Sequence, residues 1–424
     1  MDRPQMQLLD VLLGFSEALD LVDHSLANHH MQVAYIAFSL ADRLGFSLDE
    51  KKQMVMAGAL HDIGALSAQE RILALKFEDS IAYQHSEVGY LFLQQFAPLR
   101  QAAKIIRYHH VPWLYGKGKR VFQFEVPIES HLLHLADRIA VLMKKSSFIL
   151  EDKDKICEKI KRHSGVGFVP EHVEAFLELA EYEYFWLDAV SNQIPDILKR
   201  YLKPAVLDLS IKQLQDFSKL FSRIVDFRSP LNASHSSGVA VVAKRLAEMA
   251  GFSVNECELM LVAGYLHDLG KIAVSPSLLE KPGRLTSREF LVIKRHPYYT
   301  CSILSKIDSL SVINSWASLH HERLDGRGYP FHLKEKDIPV GAQIMAVADV
   351  FTALSEDRPY RQGMEKEEIF KILDSMALNK AINGDIAAFL KDDFDFIDEE
   401  RKKMQEESLR EYEHIVHPVR NLRI

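Results

Sequence analysis

The fold class follows from one stretch, SVNECELMLVAGYLHDLG, at residues 253–270. Ser253 and Glu256 are the two members of a capping box, and the final glycine is a helix stop, so the stretch predicts one complete helix. Apolar residues recur at helical spacing in the neighbouring segments as well. Alternating β-branched runs bounded by tight turns are nearly absent. We therefore predict an all-α protein.

The same layout occurs near the start of the chain. Residues 47–64 read SLDEKKQMVMAGALHDIG, again with a capping box at the start and a His-Asp pair before the final glycine. The two copies are separated by about 206 residues, which is too long for a solenoid repeat and indicates a duplicated domain. We predict two tandem helical domains, residues 1–200 including connector helices and residues 201–424 including a C-terminal helical tail.

Composition and charge exclude several classes of protein. The chain has 424 residues and a formal net charge of −7, which gives no general attraction to nucleic acid or to an acidic membrane. No apolar run is long enough to span a membrane, and the start lacks the basic flank of a signal peptide. The three cysteines are far apart and indicate neither a zinc knuckle nor a disulfide framework. We expect a cytoplasmic protein.

Histidines and aspartates recur in the same order in both halves. In each half a histidine precedes a His-Asp pair by 32 residues, and a further histidine precedes a His-His pair by 24 residues. The other two intervals differ between the halves by five residues and by one. Such a recurrence disfavours a set of unrelated core histidines. The candidate metal ligands are His235, His267, Asp268, His296, His320, His321 and Asp349 in the second half, and His29, His61, Asp62, His85, His109, His110 and Asp137 in the first half.

These residue types favour a transition metal. Imidazoles together with carboxylates suit iron, manganese or zinc. Asp349 has apolar neighbours in the sequence, and a cation offsets the cost of burying its carboxylate. Seven ligands exceed the four of one tetrahedral zinc, so we expect two divalent ions with Asp268 between them. Two such ions can hold a nucleophile and clamp a phosphoryl displacement. A purely structural metal is the alternative.

The pattern of these residues resembles the HD phosphohydrolase superfamily. The second half has HDLGK at 267–271, HHERLDGRGYP at 320–330 and DRPYR at 357–361, and is similar to the HD-GYP branch. HD-GYP proteins are bacterial phosphodiesterases that open cyclic dinucleotides. The resemblance implies that the chain hydrolyses cyclic di-GMP or 3′,3′-cyclic GMP-AMP to a linear 5′-phosphorylated dinucleotide, with iron or manganese as the metals.

The resemblance also implies roles for single residues of the second half. Asp268 holds the nucleophile, and Lys271 approaches the substrate phosphate, where its charge can assist catalysis. Arg358 and Arg361 match positions of basic substrate contacts, with solvated arginines as the alternative. Part of the family binds a third metal through a glutamate, and Leu231 stands at that position, so we expect two ions.

The turn after the His-His pair of the second half has its own chemistry. Its glycines permit the sharp reversal of the chain that a tight turn needs. Arg327 and Tyr329 lie within it, and we count Arg327 as a candidate substrate contact. The sequence allows two roles for these residues, binding of the substrate or shaping of the loop.

The first half keeps the ligand types but loses the accessory residues. Ala65 stands where the second half has its lysine, and no glycine-tyrosine-proline segment follows His109-His110. We do not expect this half to hydrolyse a cyclic dinucleotide. It is either a metal-binding HD phosphatase, with the 5′-phosphate of the linear product as its substrate, or a relic used for regulation or dimer contacts.

Other interpretations of the whole chain stay open. It can be a cyclic-dinucleotide receptor or scaffold with an impaired site, or a general nucleotide phosphohydrolase. Besides the cyclic dinucleotide we expect no DNA or RNA polymer and no membrane as a partner, while a homodimer or a signalling protein is a candidate. Residues 392–418 predict a charged helix that serves as a solvated face or a packing arm.

Overall fold

Helices make up most of the protein. The few strands are two residues long, which confirms the all-α prediction. Within the described part of the chain, no helix combines the length and the apolar character that a membrane span needs. The computed structural model describes residues 6–20, 28–65, 77, 83–143, 148–202, 208–228, 233–281, 283–357 and 362–420.

The chain divides into two compact units, whose main segments are Gln7–Asp208 and Leu209–Val416, with a further boundary between Met6 and Gln7. Helices are numbered here over the described residues only. Those of the first unit are α1 Leu8–Asp20, α2 His29–Arg43, α3 Leu48–Leu60, α4 Tyr83–Leu93, α5 Arg100–Arg107, α6 Ile128–Met143, α7 Ile149–Arg162, α8 Pro170–Ala180, α9 Glu183–Ala189 and α10 Ile194–Leu202. Its short elements are 3-10 helices at Ala97–Leu99 and Leu114–Lys119 and an antiparallel pair, β2 Arg120–Val121 and β3 Phe124–Glu125.

The second unit is built in the same way. Its helices are α11 Ile211–Asp226, α12 His235–Met249, α13 Val254–Leu266, α14 Pro276–Leu279, α15 Ser287–Ile293, α16 His296–Leu304, α17 Ser311–Ala317, α18 Val340–Ser355, α19 Lys366–Leu378, α20 Gly384–Asp392 and α21 Phe394–Arg420. Its 3-10 helices are Leu269–Ala273, Asp308–Leu310 and Glu335–Asp337. Two further short strands, β1 Met6–Gln7 and β4 Asp208–Leu209, lie where the two units meet in the sequence.

Both predicted capping boxes form. The hydroxyl of Ser47 accepts from the backbone N–H of Glu50, and the carboxylate of Glu50 accepts from the backbone N–H of Ser47 at 2.7 Å. Ser253 and Glu256 repeat the arrangement, with the second bond at 2.9 Å. Each box fixes the start of a helix, α3 or α13, and each of these helices ends at a His-Asp pair.

A close approach of two helices brings the first two histidines of each unit together. A Cβ atom on Gly58 of α3 would lie 2.6 Å from the Cα of Ala34 in α2, so only glycine allows this contact. Gly264 of α13 meets Ala240 of α12 in the same way, at 2.4 Å. The start of one helix therefore lies beside the end of the next. In the first unit this places the rings of the two histidines, His29 and His61, 5.2 Å apart, and in the second unit it places those of His235 and His267 5.6 Å apart.

Candidate metal centre

In the second unit all seven candidate ligands lie close together. They come from the start of α12, the end of α13, the start of α16, the turn after α17 and the middle of α18. Two groups of three have donor atoms within 4.8 Å of one another, close enough for each group to hold one ion. The first group is His235, His267 and Asp268, and the second is His296, His320 and His321.

The two carboxylates connect these groups. Asp268 has one oxygen 3.3 Å from Nε2 of His267 and its other oxygen 3.2 Å from Nε2 of His296, so it faces both groups. Asp349 has Oδ1 3.1 Å from Nε2 of His235 and Oδ2 4.0 Å from Nδ1 of His321. An aspartate between two sets of imidazoles is the arrangement that a bridging ligand needs.

Backbone hydrogen bonds fix how three of the imidazoles face the cluster. His267, His296 and His320 each place Nδ1 2.6–2.8 Å from the carbonyl oxygen of the residue three positions earlier. A carbonyl oxygen can only accept, so Nδ1 carries the hydrogen in each ring. The other nitrogen, Nε2, therefore presents its lone pair to the interior of the cluster, as a metal ligand must.

The electrostatics of the cluster favour a bound cation. Burial alone would lower the pKa of His235, but Glu356 and Asp349 outweigh it and raise that pKa to about 10. Burial would likewise raise the pKa of Asp268, yet its interactions with His267 and Lys271 hold that pKa well below its usual range. Nε2 of His267 and Oδ1 of Asp268 are buried without a hydrogen-bond partner in the described structure. Ionised carboxylates and unbonded imidazole nitrogens that converge are a donor set that fits a divalent transition metal.

Glu356 is a part of this site that the sequence analysis missed. Its carboxylate lies 3.0 Å from Nδ1 of His235 and accepts a hydrogen bond from that nitrogen, so the other ring nitrogen is free to face Asp349. Glu356 follows Asp349 by seven residues, which is two helical turns, and this spacing is the only signal in the sequence.

Lys271 lies on the 3-10 turn that follows the His-Asp pair. Its ammonium forms an ion pair with Asp268, and its side chain is 20% exposed. Burial would lower the pKa of Lys271, but Asp268 outweighs burial and raises it. The guanidinium of Arg228 donates to the carbonyl of Lys271 at 3.2 Å and so holds the turn in place. The predicted catalytic lysine is thus next to the predicted bridging carboxylate.

A buried glutamate organises the loop after the His-His pair. The carboxylate of Glu322 accepts from the backbone N–H groups of Phe331 and Leu333 at 2.7 and 2.9 Å. Gly326 has φ +76°, and a Cβ on Gly328 would lie 2.4 Å from the backbone nitrogen of Arg323. Both glycines are therefore required by the path of the chain, as the sequence predicted.

The structure distinguishes the two residues whose roles were left open in this loop. The ring of Tyr329 lies 4.8 Å from that of His321, at the edge of the cluster. Arg327 is exposed, and its backbone N–H donates to Asp325 at 2.9 Å. Arg358, Arg361 and Leu231 lie outside the described residues, so the statements made about them stay predictions.

The first unit gathers its seven candidate ligands in the same manner. Asp62 has Oδ1 3.2 Å from Nε2 of His85, and Asp137 has Oδ1 3.3 Å from Nε2 of His29. His61 donates from Nδ1 to the carbonyl of Gly58 at 2.9 Å. The two groups that can hold an ion are His29, His61 and Asp137, and Asp62, His85, His109 and His110.

A buried arginine sets the first cluster apart. Arg138, which is 1% exposed, binds Oδ2 of Asp137 through Nε at 3.1 Å and through Nη2 at 2.5 Å. Burial would raise the pKa of Asp137, but Arg138 outweighs burial and lowers it. The corresponding residue of the second unit is Val350. The sequence analysis missed Arg138, although a charged residue next to a ligand aspartate in an apolar helix was a visible signal.

Comparisons with known proteins agree with this geometry. HD-domain family models match residues 26–142 and 219–386. The chain is 31% identical over 383 residues to 3′3′-cGAMP-specific phosphodiesterase 1 of Vibrio cholerae, covering 87% of each protein. It is also 31% identical to 3′3′-cGAMP-specific phosphodiesterase 3 of Vibrio cholerae, over 67% of this chain and 60% of that protein. A cyclic di-GMP phosphodiesterase of Thermotoga maritima is 34% identical over 45% of this chain and 52% of its own length.

A solved structure shares the fold. It is described as a cyclic GMP-AMP specific phosphodiesterase of V. cholerae, V-cGAP3, and aligns with a TM-score of 0.65 and 24% identity. The alignment covers 92% of this chain and 98% of that one, so the likeness in fold extends over most of both proteins.

Proposed function

Because the chain belongs to the HD-GYP type of HD phosphohydrolase, with two HD domains in tandem, we propose that its second unit hydrolyses a cyclic dinucleotide at a metal centre. The observation that carries the proposal is Asp268, which faces both histidine groups and pairs with Lys271, in a cluster whose His321 contacts Tyr329 of the glycine-tyrosine-proline loop. The relatives named above act on 3′3′-cGAMP or cyclic di-GMP. We rank 3′3′-cGAMP first, because the relative aligned over 87% of this chain is specific for it.

We propose two divalent ions, iron or manganese, for this centre. Such ions neutralise charge on a bound phosphate and lower the pKa of a coordinated water. The proposed ligands are His235, His267, Asp268, His296, His320, His321 and Asp349.

The chain's own side chains then have distinct tasks. Asp268 directs its ionised oxygens at both histidine groups and so fixes the position of one set of ligands relative to the other. Lys271 is a part-exposed cation on a flexible aliphatic stem, which allows it to turn from Asp268 to the substrate phosphate. In the reaction a water oxygen bonds to phosphorus, the bond to the sugar 3′-oxygen breaks, and that oxygen gains a proton. The product is a linear 5′-phosphorylated dinucleotide, and Lys271 stabilises the charge that develops on the phosphate.

Product analysis tests this proposal. The purified chain is incubated with Mn²⁺ and, in parallel, with 3′3′-cGAMP, cyclic di-GMP and cyclic di-AMP. We expect a linear 5′-phosphorylated dinucleotide, formed fastest from 3′3′-cGAMP. Tight binding of a ring without turnover would instead identify a receptor, and turnover of ordinary nucleotides alone would identify a general phosphohydrolase.

For the first unit we propose a metal-dependent phosphatase that removes the 5′-phosphate of the linear product. The convergence of seven buried candidate ligands supports metal binding. This unit has Ala65 where the second unit has its lysine, which argues against ring opening as its reaction. The full chain with Asp268→Ala is supplied with Mn²⁺ and a linear 5′-phosphorylated dinucleotide. Phosphate release that Asp62→Ala abolishes would support the proposal. No release and no bound metal would leave the unit as a regulatory relic.

A further inference from the structure

The long helix α21 buries a stripe of about one residue per turn, and the middle of this stripe is polar. Its apolar ends are formed by Phe394 and Ile397 on one side and by Ile415 on the other. The polar residues between them are Arg401, Gln405 and Ser408, which are 3%, 7% and 1% exposed. A buried polar side chain costs stability unless it is hydrogen-bonded, so the partners of these three residues show what the polar stretch is for.

The partners form a chain of hydrogen bonds that ends at a candidate metal ligand. Arg401 is held by Asp398 at 2.6 Å and donates to Oε1 of Gln405 at 2.5 Å. Nε2 of Gln405 donates to Oε1 of Glu356 at 2.5 Å, and Glu356 accepts from Nδ1 of His235 at 3.0 Å. The amide of Gln405 has one orientation in this chain, because its oxygen faces a guanidinium and its nitrogen a carboxylate.

A second contact of α21 fixes the backbone that leads into the same histidine. The hydroxyl of Ser408 donates to the carbonyl of Ala233 at 3.0 Å, two residues before His235. Gln405 also packs on Gly238, where a Cβ would lie 2.8 Å from its amide nitrogen. One face of α21 thus contacts the first turn of α12 and the carboxylate that binds its first imidazole.

We infer that α21 is a supporting part of the metal centre, and that Gln405 and Glu356 are positioning residues for His235. The inference rests on the proposed role of His235 as a ligand. A carboxylate that accepts from the far nitrogen of a ligating histidine fixes the ring and makes the near nitrogen more basic. Gln405 keeps Glu356 in the position that this requires. The charged helix expected from residues 392–418 is therefore a packing arm with a specific task.

The first unit has no equivalent support in the part of it that the structure describes. Nδ1 of His29 is buried and has no hydrogen-bond partner there. The same ligand position thus has a carboxylate partner in one unit and lacks it in the other. A change in α21 should therefore affect one metal centre only.

Mn²⁺ binding to a full chain with Gln405→Met tests the inference. His61→Ala and Asp62→Ala are added to every variant, so that equilibrium binding reports the second unit alone. Methionine keeps the volume of glutamine but removes both hydrogen bonds, and we expect the Kd for Mn²⁺ to rise about 10- to 100-fold. Turnover of the cyclic dinucleotide should recover at saturating Mn²⁺. Ile397→Val, which trims the same buried stripe away from the polar chain, is the matched control and should leave the Kd unchanged.

Two further variants separate the outcomes. Glu356→Gln keeps the shape of the side chain and one acceptor but removes the charge. We expect it to raise the Kd for Mn²⁺, though by less than the double variant that carries both Gln405→Met and Glu356→Ala. His235→Ala should abolish binding at the first group. If Gln405→Met and Glu356→Gln both leave the Kd unchanged while His235→Ala raises it, α21 has no positioning role and the proposed function stands. If His235→Ala also leaves the Kd unchanged, the ligand assignment itself is wrong.

Discussion

The two clusters contain the same seven candidate ligands, five histidines and two aspartates, but differ in the cation that pairs with a carboxylate. In the second unit the cation is Lys271, which pairs with Asp268 and is 20% exposed. In the first unit it is Arg138, which pairs with Asp137 and is 1% exposed. A part-exposed lysine can leave its partner for a substrate, whereas a buried arginine stays with its carboxylate. The two units thus share their candidate ligands and differ in which carboxylate is paired with a cation and in how exposed that cation is.

The segments after the two His-His pairs differ as well. In the second unit the loop returns to the cluster, and Tyr329 lies against His321. In the first unit the corresponding segment forms a 3-10 helix, Leu114–Lys119, and the hairpin of β2 and β3, with Phe122 92% exposed at its tip. The candidate ligands are common to the two units, and the segments that follow the His-His pairs distinguish the units.

The largest expected effect comes from removing the central aspartate of the second cluster. Asp268→Ala should reduce hydrolysis of the cyclic dinucleotide to background, because the two oxygens of Asp268 lie 3.3 and 3.2 Å from the two histidine groups and its carboxylate also pairs with Lys271. Asp62→Ala should leave that rate unchanged. The measurement is the initial rate of ring opening for each of the two variants, compared with the wild type. Equal losses in both variants would mean that the clusters do not act separately.

Removing the buried arginine should destabilise the first unit. Arg138→Met leaves Asp137 buried without its cation, which costs about 3–5 kcal/mol for a broken buried pair. Urea unfolding of the metal-free protein measures the loss, and added Mn²⁺ should restore part of it. Arg107→Met is the control, because its pair with Glu87 at 2.7 Å is part-exposed and should contribute about 1 kcal/mol or less. A loss as small as that of the control would contradict the role given to Arg138.

Removing the accessory lysine should affect rate and not metal content. Lys271→Ala is expected to lower kcat for ring opening about 10²- to 10³-fold, as for the loss of one charge-stabilising group. Bound manganese per chain, measured on the same sample, should equal that of the wild type. A parallel loss of metal would instead make Lys271 a structural partner of Asp268.

A pH dependence of stability with opposite sign in the two units is also expected. The pKa of His235 is raised from 6.5 to about 10 in the folded state, with burial opposed by Glu356 and Asp349. Its stabilising contribution is therefore fully present below pH 6.5 and is lost as the pH rises to about 10. Burial lowers the pKa of His29 below 6.5, against the effect of Asp137, so folding opposes its protonation. Its contribution is present above pH 6.5 and is lost as the pH falls.

Variants of these two histidines check the signs. With metal chelated, the stability difference between wild type and His235→Gln should shrink from pH 6 to pH 10. The difference between wild type and His29→Gln should shrink from pH 8 towards acid. Denaturant unfolding at several pH values measures both. The same trend in both variants would show that the carboxylate beside His235 does not distinguish the sites.

The sequence predicted the parts of each site that depend on local structure. Capping boxes, glycine stops and recurring spacings identified α3, α13 and all fourteen candidate ligands. Glu356 and Gln405 could not be predicted, because their partners come from helices that meet only in the folded unit. The place of Arg138 next to Asp137 in an apolar helix is visible in the sequence, but an arginine in a helix is usually exposed, and only the packing shows that this one is buried. Likewise, the buried face of α21 could not be read from a segment dominated by charged residues.

The contact between α21 and Glu356 also has a consequence for how the protein is made. All candidate ligands of the first unit lie between His29 and Asp137, so that unit can begin to bind metal while later segments are still being translated. The ligands of the second unit are all synthesised before α21, yet the support for His235 arrives only with Gln405. On the ribosome the second centre should therefore bind its metal firmly only after α21 has emerged. The first centre can mature earlier.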